Sequence, residues 1–116
     1  DSSAVSISGD DVQFGARAAT PLALVFHELA TNSAKYGALS AASGSVAITV
    51  KRDAENASIT WQESGGPRIE PPKDEGFGSR LIAMAINHQL GGEMTMEWRP
   101  EGLCTQITVS LARLTM

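Results

Sequence analysis

Three polar residues that recur at helical spacing combine groups able to do chemistry. Glu28 and Asn32 are four positions apart and Lys35 follows three later, so on a helix all three fall in one line along a single face. An amide oxygen ligates Mg²⁺, an ammonium meets phosphate and a carboxylate accepts a proton. This combination suits a magnesium nucleotide. The alternative is a solvated helix face with an ordinary i,i+4 polar pair.

Two glycines precede a second segment with helical periodicity. Gly76 and Gly78 would let a ligand approach the backbone, and the helix after them would present free N–H groups to phosphate. Arg80 would add positive charge there. A plain glycine turn with Ser79 as the helix cap is the alternative, because the Gly-x-Gly spacing alone is weakly specific.

An acidic residue ends one of the predicted strands. Glu63 is followed by Ser64 and then by Gly65 and Gly66. A carboxylate in this place would accept a hydrogen bond from an amino group such as that of adenine, and the glycines would let a flat base approach the backbone. The alternative is an exposed strand-end acid. Trp61 shares the face of Glu63 by the strand period and is interpreted as a core residue.

The helix that must position the first group has a clear start and end. Thr20 and Pro21 predict an N-cap followed by proline at the first helical position, and Gly37 predicts the C-terminal end. An apolar stripe on the neighbouring face predicts docking on a sheet. Its members are Leu22, Val25, Phe26, Leu29 and Ser33.

The other elements follow from alternation and turn residues. Strands are predicted at 3–8, 12–14 (short), 45–51, 57–62, 93–99 and 103–111, and a second helix at 80–90. The runs 45–51 and 57–62 are predicted to form an antiparallel hairpin. Segment 64–75, with three prolines, predicts a functional lid. This order predicts a two-layer α/β sandwich.

Composition limits the possible classes. A chain of 116 residues with 42% hydrophobic and 19% charged residues is typical of one soluble globular domain. The net charge of −4 disfavours nucleic-acid binding. The single cysteine, Cys104, excludes an internal disulfide, and neither His27 nor His88 has partners at zinc-ligand spacing. A start at Asp1 instead of Met suggests a domain of a longer protein.

Together these segments resemble a known family. The run from Phe26 to Ser40, the run from Trp61 to Pro67 and the run from Gly76 to Ile82 resemble the HWE subgroup of sensor histidine kinases. The subgroup takes its letters from a histidine in the N box, matched by His27, and from a Trp-x-Glu in the G1 box, matched by Trp61 and Glu63.

The resemblance implies the catalytic and ATP-binding domain of such a kinase. It implies the Bergerat fold, a mixed sheet covered on one face by helices, with ATP and Mg²⁺ bound. In that family the residue matched by Glu28 is the general base toward a phosphoacceptor histidine. The residue matched by Asn32 ligates Mg²⁺, and the lysine matched by Lys35 approaches the phosphates.

The same resemblance implies the remaining contacts with the nucleotide. The G1 acid corresponds to Glu63 on adenine, where most histidine kinases have aspartate, and the G2 glycines correspond to Gly76 and Gly78 at the phosphates. No separate F box is found between these two motifs. The predicted nucleotide-binding set is completed by Tyr36, Gly65 and Arg80.

The resemblance also implies partners. The phosphoacceptor histidine would lie on a dimerisation domain upstream of Asp1, so this domain alone is expected to bind ATP without autophosphorylating. A response regulator would receive the phosphoryl group. The expected parent is a cytoplasmic homodimer, and the domain itself a monomer without membrane contact. A related alternative is an anti-sigma-type module, acting as a serine kinase or as a scaffold.

Overall fold

The computed structural model describes residues 4–68 and 77–115. The elements in chain order are β1 (Val5–Gly9), α1 (Ala16–Tyr36), β2 (Ser45–Arg52), β3 (Asn56–Ser64), α2 (Phe77–Met84), β4 (Glu93–Arg99), β5 (Gly102–Ser110) and α3 (Leu111–Leu114). A 3₁₀ turn at Ala38–Ser40 follows α1, and a π-helical turn at Ala85–Gln89 extends α2.

The strands form one five-stranded mixed sheet. Its order is β1-β2-β3-β5-β4, with β1 parallel to β2 and all other neighbours antiparallel. The predicted hairpin is confirmed as β2–β3, in which Ile48 pairs with Trp61. Inward residues of β3 alternate with half-buried Ser58, Thr60 and Gln62, as expected for a sheet with one covered and one solvated face.

Both long helices pack on the same face of the sheet, which confirms the two-layer sandwich. The core joins residues of α1, α2 and its π-helical extension to the inward residues of β3 and β5. Its largest members include Leu22, Val25, Leu29, Ile59, Trp61, Ile82, Ile86, Leu90, Ile107 and Val109. Within the described ranges, no helix combines the length and the apolar character needed to cross a membrane.

The predicted start of the first helix is wrong. Helix α1 begins at Ala16, after Gly15 as N-cap, and Pro21 lies inside it. Proline this close to the start removes only one helical hydrogen bond, the one to the Arg17 carbonyl. The added turn buries Ala18 completely, and this packing decides the start. The predicted end is confirmed, because the Gly37 N–H donates to the Ser33 carbonyl.

Strands β1 to β3 differ from their predicted bounds by one or two residues at their ends, and three other segments differ as follows. The short strand at 12–14 is wrong: this segment connects β1 to α1, and Val12 packs against the core without strand pairing. At the C-terminus, β5 ends at Ser110, whose side chain accepts from the Arg113 N–H and caps α3. Helix α2 begins at Phe77, so its first turn contains Gly78. Beyond Arg68, the predicted lid lies outside the described residues.

Candidate functional site

The polar line predicted on the first helix is present. Helix α1 is continuous through Glu28, Asn32 and Lys35, so their spacing places them on one side of it. Glu28 and Asn32 are half-buried and Lys35 is exposed. Lys35 lies in the last turn, where the negative end of the helix dipole favours a cation. One side of α1 therefore carries a carboxylate, an amide and an ammonium.

Glu63 is buried, with 1% of its surface exposed. Its Oε1 accepts hydrogen bonds from Ser33 Oγ at 3.0 Å and from the Ala38 N–H at 2.9 Å. Its Oε2 accepts one from Trp61 Nε1 at 3.0 Å. All three partners are donors, as a buried carboxylate requires. The alternative of an exposed strand-end acid is therefore wrong.

Ser33 joins this carboxylate to the segment after α1. While donating to Glu63, its Oγ accepts the Leu39 N–H at 3.1 Å. The end of α1, the 3₁₀ turn and β3 are thus held together by side-chain hydrogen bonds. The sequence prediction placed Ser33 in the apolar stripe and missed this role; a hydroxyl among apolar residues of a buried helix face was the available signal.

Two glycines after β3 allow close contact with the backbone of the segment after α1. Gly65 has φ +76°, and a Cβ there would lie 2.5 Å from the Ser43 carbonyl oxygen. The Ser43 hydroxyl donates to the Gly65 carbonyl at 3.1 Å. Gly66 approaches the backbone of Ala38 more closely than any side chain allows. These glycines are required by the protein's own packing, and contact of Gly65 with a ligand stays a prediction.

Thr105 is a second polar residue in the core that the sequence prediction did not single out. It pairs with Trp61 across β3 and β5 and is completely buried. Its hydroxyl finds no hydrogen-bond partner in the described part of the chain. The signal was its inward position between Leu103 and Ile107. A buried hydroxyl without a partner costs free energy.

The remaining predicted residues are more peripheral. Tyr36 is 67% exposed, and Arg80 and His27 are exposed. Gly78 lies in the first turn of α2, and Gly76 lies outside the described residues. Among residues 4–68 and 77–115, no three His, Cys, Asp or Glu side chains converge on a metal position.

This donor set fits Mg²⁺ bound together with phosphate. Mg²⁺ keeps several waters and takes one or two protein oxygens plus those of a nucleotide. The amide of Asn32 would supply one such oxygen, and Asn32 lies on the side of α1 that also carries Glu28. No cage built from protein ligands alone is needed.

Two pKa shifts lie away from these residues. The N–H groups of Asn56 and Glu55 donate to Asp53 and lower the pKa of its carboxyl below the ordinary value of 3.8. The hydrogen bond to Glu97 raises the pKa of Arg99. Both side chains are on the surface, so neither shift describes a catalytic group.

Sequence comparison finds related kinases. The chain is 39% identical over 108 residues to blue-light-activated histidine kinase 1 of Erythrobacter litoralis, which covers 90% of this chain and 30% of that protein. It is 39% identical over 109 residues to the blue-light-activated histidine kinase of Rhizobium johnstonii, covering 90% and 31%. The chain thus spans about a third of each relative. No protein-family model matches it.

Solved structures share the fold. The histidine kinase domain of the Erythrobacter litoralis EL346 blue-light-activated kinase superposes with a TM-score of 0.78 at 23% identity, over 95% of this chain and 52% of that one. The catalytic domain of histidine kinase ThkA gives a TM-score of 0.69 at 18% identity, over 91% and 77%. These likenesses confirm the Bergerat-type sandwich.

Proposed function

We propose that the chain is the ATP-binding catalytic domain of a two-component sensor histidine kinase, because it is similar in sequence to blue-light-activated histidine kinases and shares the fold of histidine kinase catalytic domains. The reaction transfers the γ-phosphoryl group of ATP to a histidine on a dimerisation domain. The observation that carries this proposal is the line of Glu28, Asn32 and Lys35 on α1, adjoining the segment that Glu63 anchors. The His27, Trp61 and Glu63 signature supports the HWE subgroup.

In the proposed mechanism the residues of α1 position charge around the transferred group. Asn32 would supply an oxygen to Mg²⁺, which when bound would neutralise phosphate charge, and Lys35 would add a cation. An imidazole nitrogen attacks the γ-phosphorus in line while the bond to the β,γ-bridging oxygen breaks, and ADP leaves. Glu28 takes up the proton that the imidazole releases. Atoms and charges then balance as phosphohistidine, ADP and a protonated carboxyl.

The proposed nucleotide site also uses residues on other elements, at the end of β3 and at the start of α2. Glu63 receives the amino group of adenine, and Gly65 lies beside the base. The first turn of α2, with Gly78, faces the phosphates through its free N–H groups. The other proposed contacts are those of Tyr36, Gly76 and Arg80.

The proposed partner of the phosphorylated protein is a response regulator. The solved complex of histidine kinase ThkA with the response regulator TrrA, which shares the fold at a TM-score of 0.69, supports this proposal. An aspartate of the regulator would accept the phosphoryl group from phosphohistidine. The proposed location is the cytoplasm.

The test is a calorimetric titration of the chain with a non-hydrolysable ATP analogue, with and without Mg²⁺. We expect magnesium-dependent binding of about −5 to −8 kcal/mol, which is micromolar to sub-millimolar affinity. Absence of binding under both conditions would contradict the proposed ATP site and would favour a module that acts only through partners. Binding indifferent to Mg²⁺ would contradict the role of Asn32.

A further inference from the structure

The Glu63 carboxylate has room for one more hydrogen bond. Each carboxylate oxygen offers two acceptor positions. Oε1 uses both, with Ser33 Oγ and the Ala38 N–H. Oε2 uses one, with Trp61 Nε1. Among the described residues, the single position left is therefore on Oε2, and it accepts a donor only.

The two side chains that set this orientation are themselves held in place. Ser33 Oγ accepts the Leu39 N–H, which leaves its own hydrogen for Glu63. Trp61 is 3% exposed, and its ring packs against Phe26 with 6.4 Å between centroids and 31° between planes. Neither donor is free to rotate away, so the carboxylate has one orientation.

We propose that Ser33 and Trp61 are positioning residues that make the site selective for a purine with an amino group at position 6. This inference rests on the proposed ATP-binding function. The remaining acceptor position on Oε2 pairs with an N–H of such an amine. A purine with only hydrogen at position 6 offers this acceptor no hydrogen bond, and a purine with a carbonyl oxygen there places one acceptor against another. Ser33 and Trp61 act through Glu63 and touch no nucleotide.

The test compares ATP with purine riboside triphosphate, which differs only in lacking the 6-amino group. Calorimetric titrations of the chain are made with both nucleotides in the presence of Mg²⁺. For the unchanged chain we expect a preference for ATP of about tenfold, the effect of one hydrogen bond to a charged group. In Ser33→Ala and in Trp61→Phe the preference falls to about threefold or less, while affinity for purine riboside triphosphate changes less than about twofold.

Matched controls use the same residue types at other positions of the sheet. Ser45→Ala removes a hydroxyl that bonds Ser64 at 3.1 Å without touching Glu63. Trp98→Phe makes the same aromatic exchange at a half-buried position of β4. Both controls should keep the preference for ATP. Thermal unfolding of each variant checks its fold, and either test variant alone is decisive because each breaks a different bond to Glu63.

Several outcomes would overturn the inference. If both variants bind ATP and purine riboside triphosphate more weakly by the same factor, Ser33 and Trp61 only hold the fold together. An unchanged preference in either variant, or no preference in the unchanged chain, would mean that the free position on Oε2 does not read the base. In those cases the proposed ATP site stands, provided that ATP binds. Failure of the unchanged chain to bind either nucleotide would contradict the proposed function itself.

Discussion

One carboxylate lies just before strand β3 and another near its end, and each accepts two hydrogen bonds through a single oxygen. Asp53, in the turn before β3, accepts the N–H groups of Glu55 and Asn56 through one oxygen, each at 2.8 Å. Glu63, near the other end of the strand, also uses one oxygen to accept two donors, from Ser33 and Ala38. The difference is where the donors come from. They are two and three residues away for Asp53 but thirty and twenty-five residues away for Glu63.

Asp53 is therefore held by local hydrogen bonds, and Glu63 by tertiary ones. The donors of Asp53 belong to its own turn, so its carboxylate closes that turn, and the residue is exposed to solvent. The donors of Glu63 belong to α1 and to the turn after it, so its carboxylate connects the helix that carries Asn32 to the sheet. Substitutions near Glu63 should therefore change ligand binding and catalysis, whereas substitutions near Asp53 should change only stability.

The largest effect is expected from Glu28→Gln. If Glu28 takes the imidazole proton, the rate of phosphoryl transfer to an added phosphoacceptor-histidine domain falls about 100-fold or more. ATP affinity, measured by titration, should stay within about twofold because the amide keeps the shape of the carboxyl group. Loss of ATP binding, with transfer reduced only in proportion, would argue that Glu28 is a binding residue and not a base.

A second large effect is expected from Asn32→Ala. Removing the amide oxygen should abolish the magnesium-dependent part of ATP binding. The matched control is Asn56→Ala, an exposed asparagine at the Asp53 end of β3, which should leave the titration unchanged. If both variants bind Mg²⁺ and ATP like the unchanged chain, Asn32 is not a metal ligand.

An intermediate effect is expected from Glu63→Ala. The change leaves the donors of Ser33, Ala38 and Trp61 buried without an acceptor, so we expect a loss of about 3 kcal/mol in the free energy of unfolding. Urea unfolding followed by circular dichroism measures it. A loss no greater than that caused by Asp53→Ala would erase the distinction between the two ends of the strand.

The smallest effect is expected from Asp53→Asn, and it should depend on pH. The N–H groups of Asn56 and Glu55 hold the native pKa of Asp53 below its ordinary value of 3.8. A lowered native pKa contributes stability above pH 3.8, and that contribution is lost as the pH falls through the native pKa. The stability difference between the unchanged chain and the variant should therefore shrink in acid. A difference that is constant from neutral pH to pH 3 would contradict the role of this charge.

Parts of the fold that depend on nearby residues were predictable from the sequence. Alternation identified β2, β3, β4 and β5, and helical spacing placed Glu28, Asn32 and Lys35 on one side of α1. Predictions failed where packing overrode a local signal. Pro21 marks a helix start by local rules, yet the burial of Ala18 extends α1 upstream.

The sequence by itself determined which groups are present and the order in which each element offers them, because side-chain direction follows from the period of a helix or a strand. It placed Trp61 and Glu63 on one face of a strand and Ser33 on a buried helix face. Only the tertiary structure decided that Ser33 and Glu63 meet, thirty residues apart. Contacts at that separation depend on how α1 docks on the sheet, which is a property of the whole core and of no single segment.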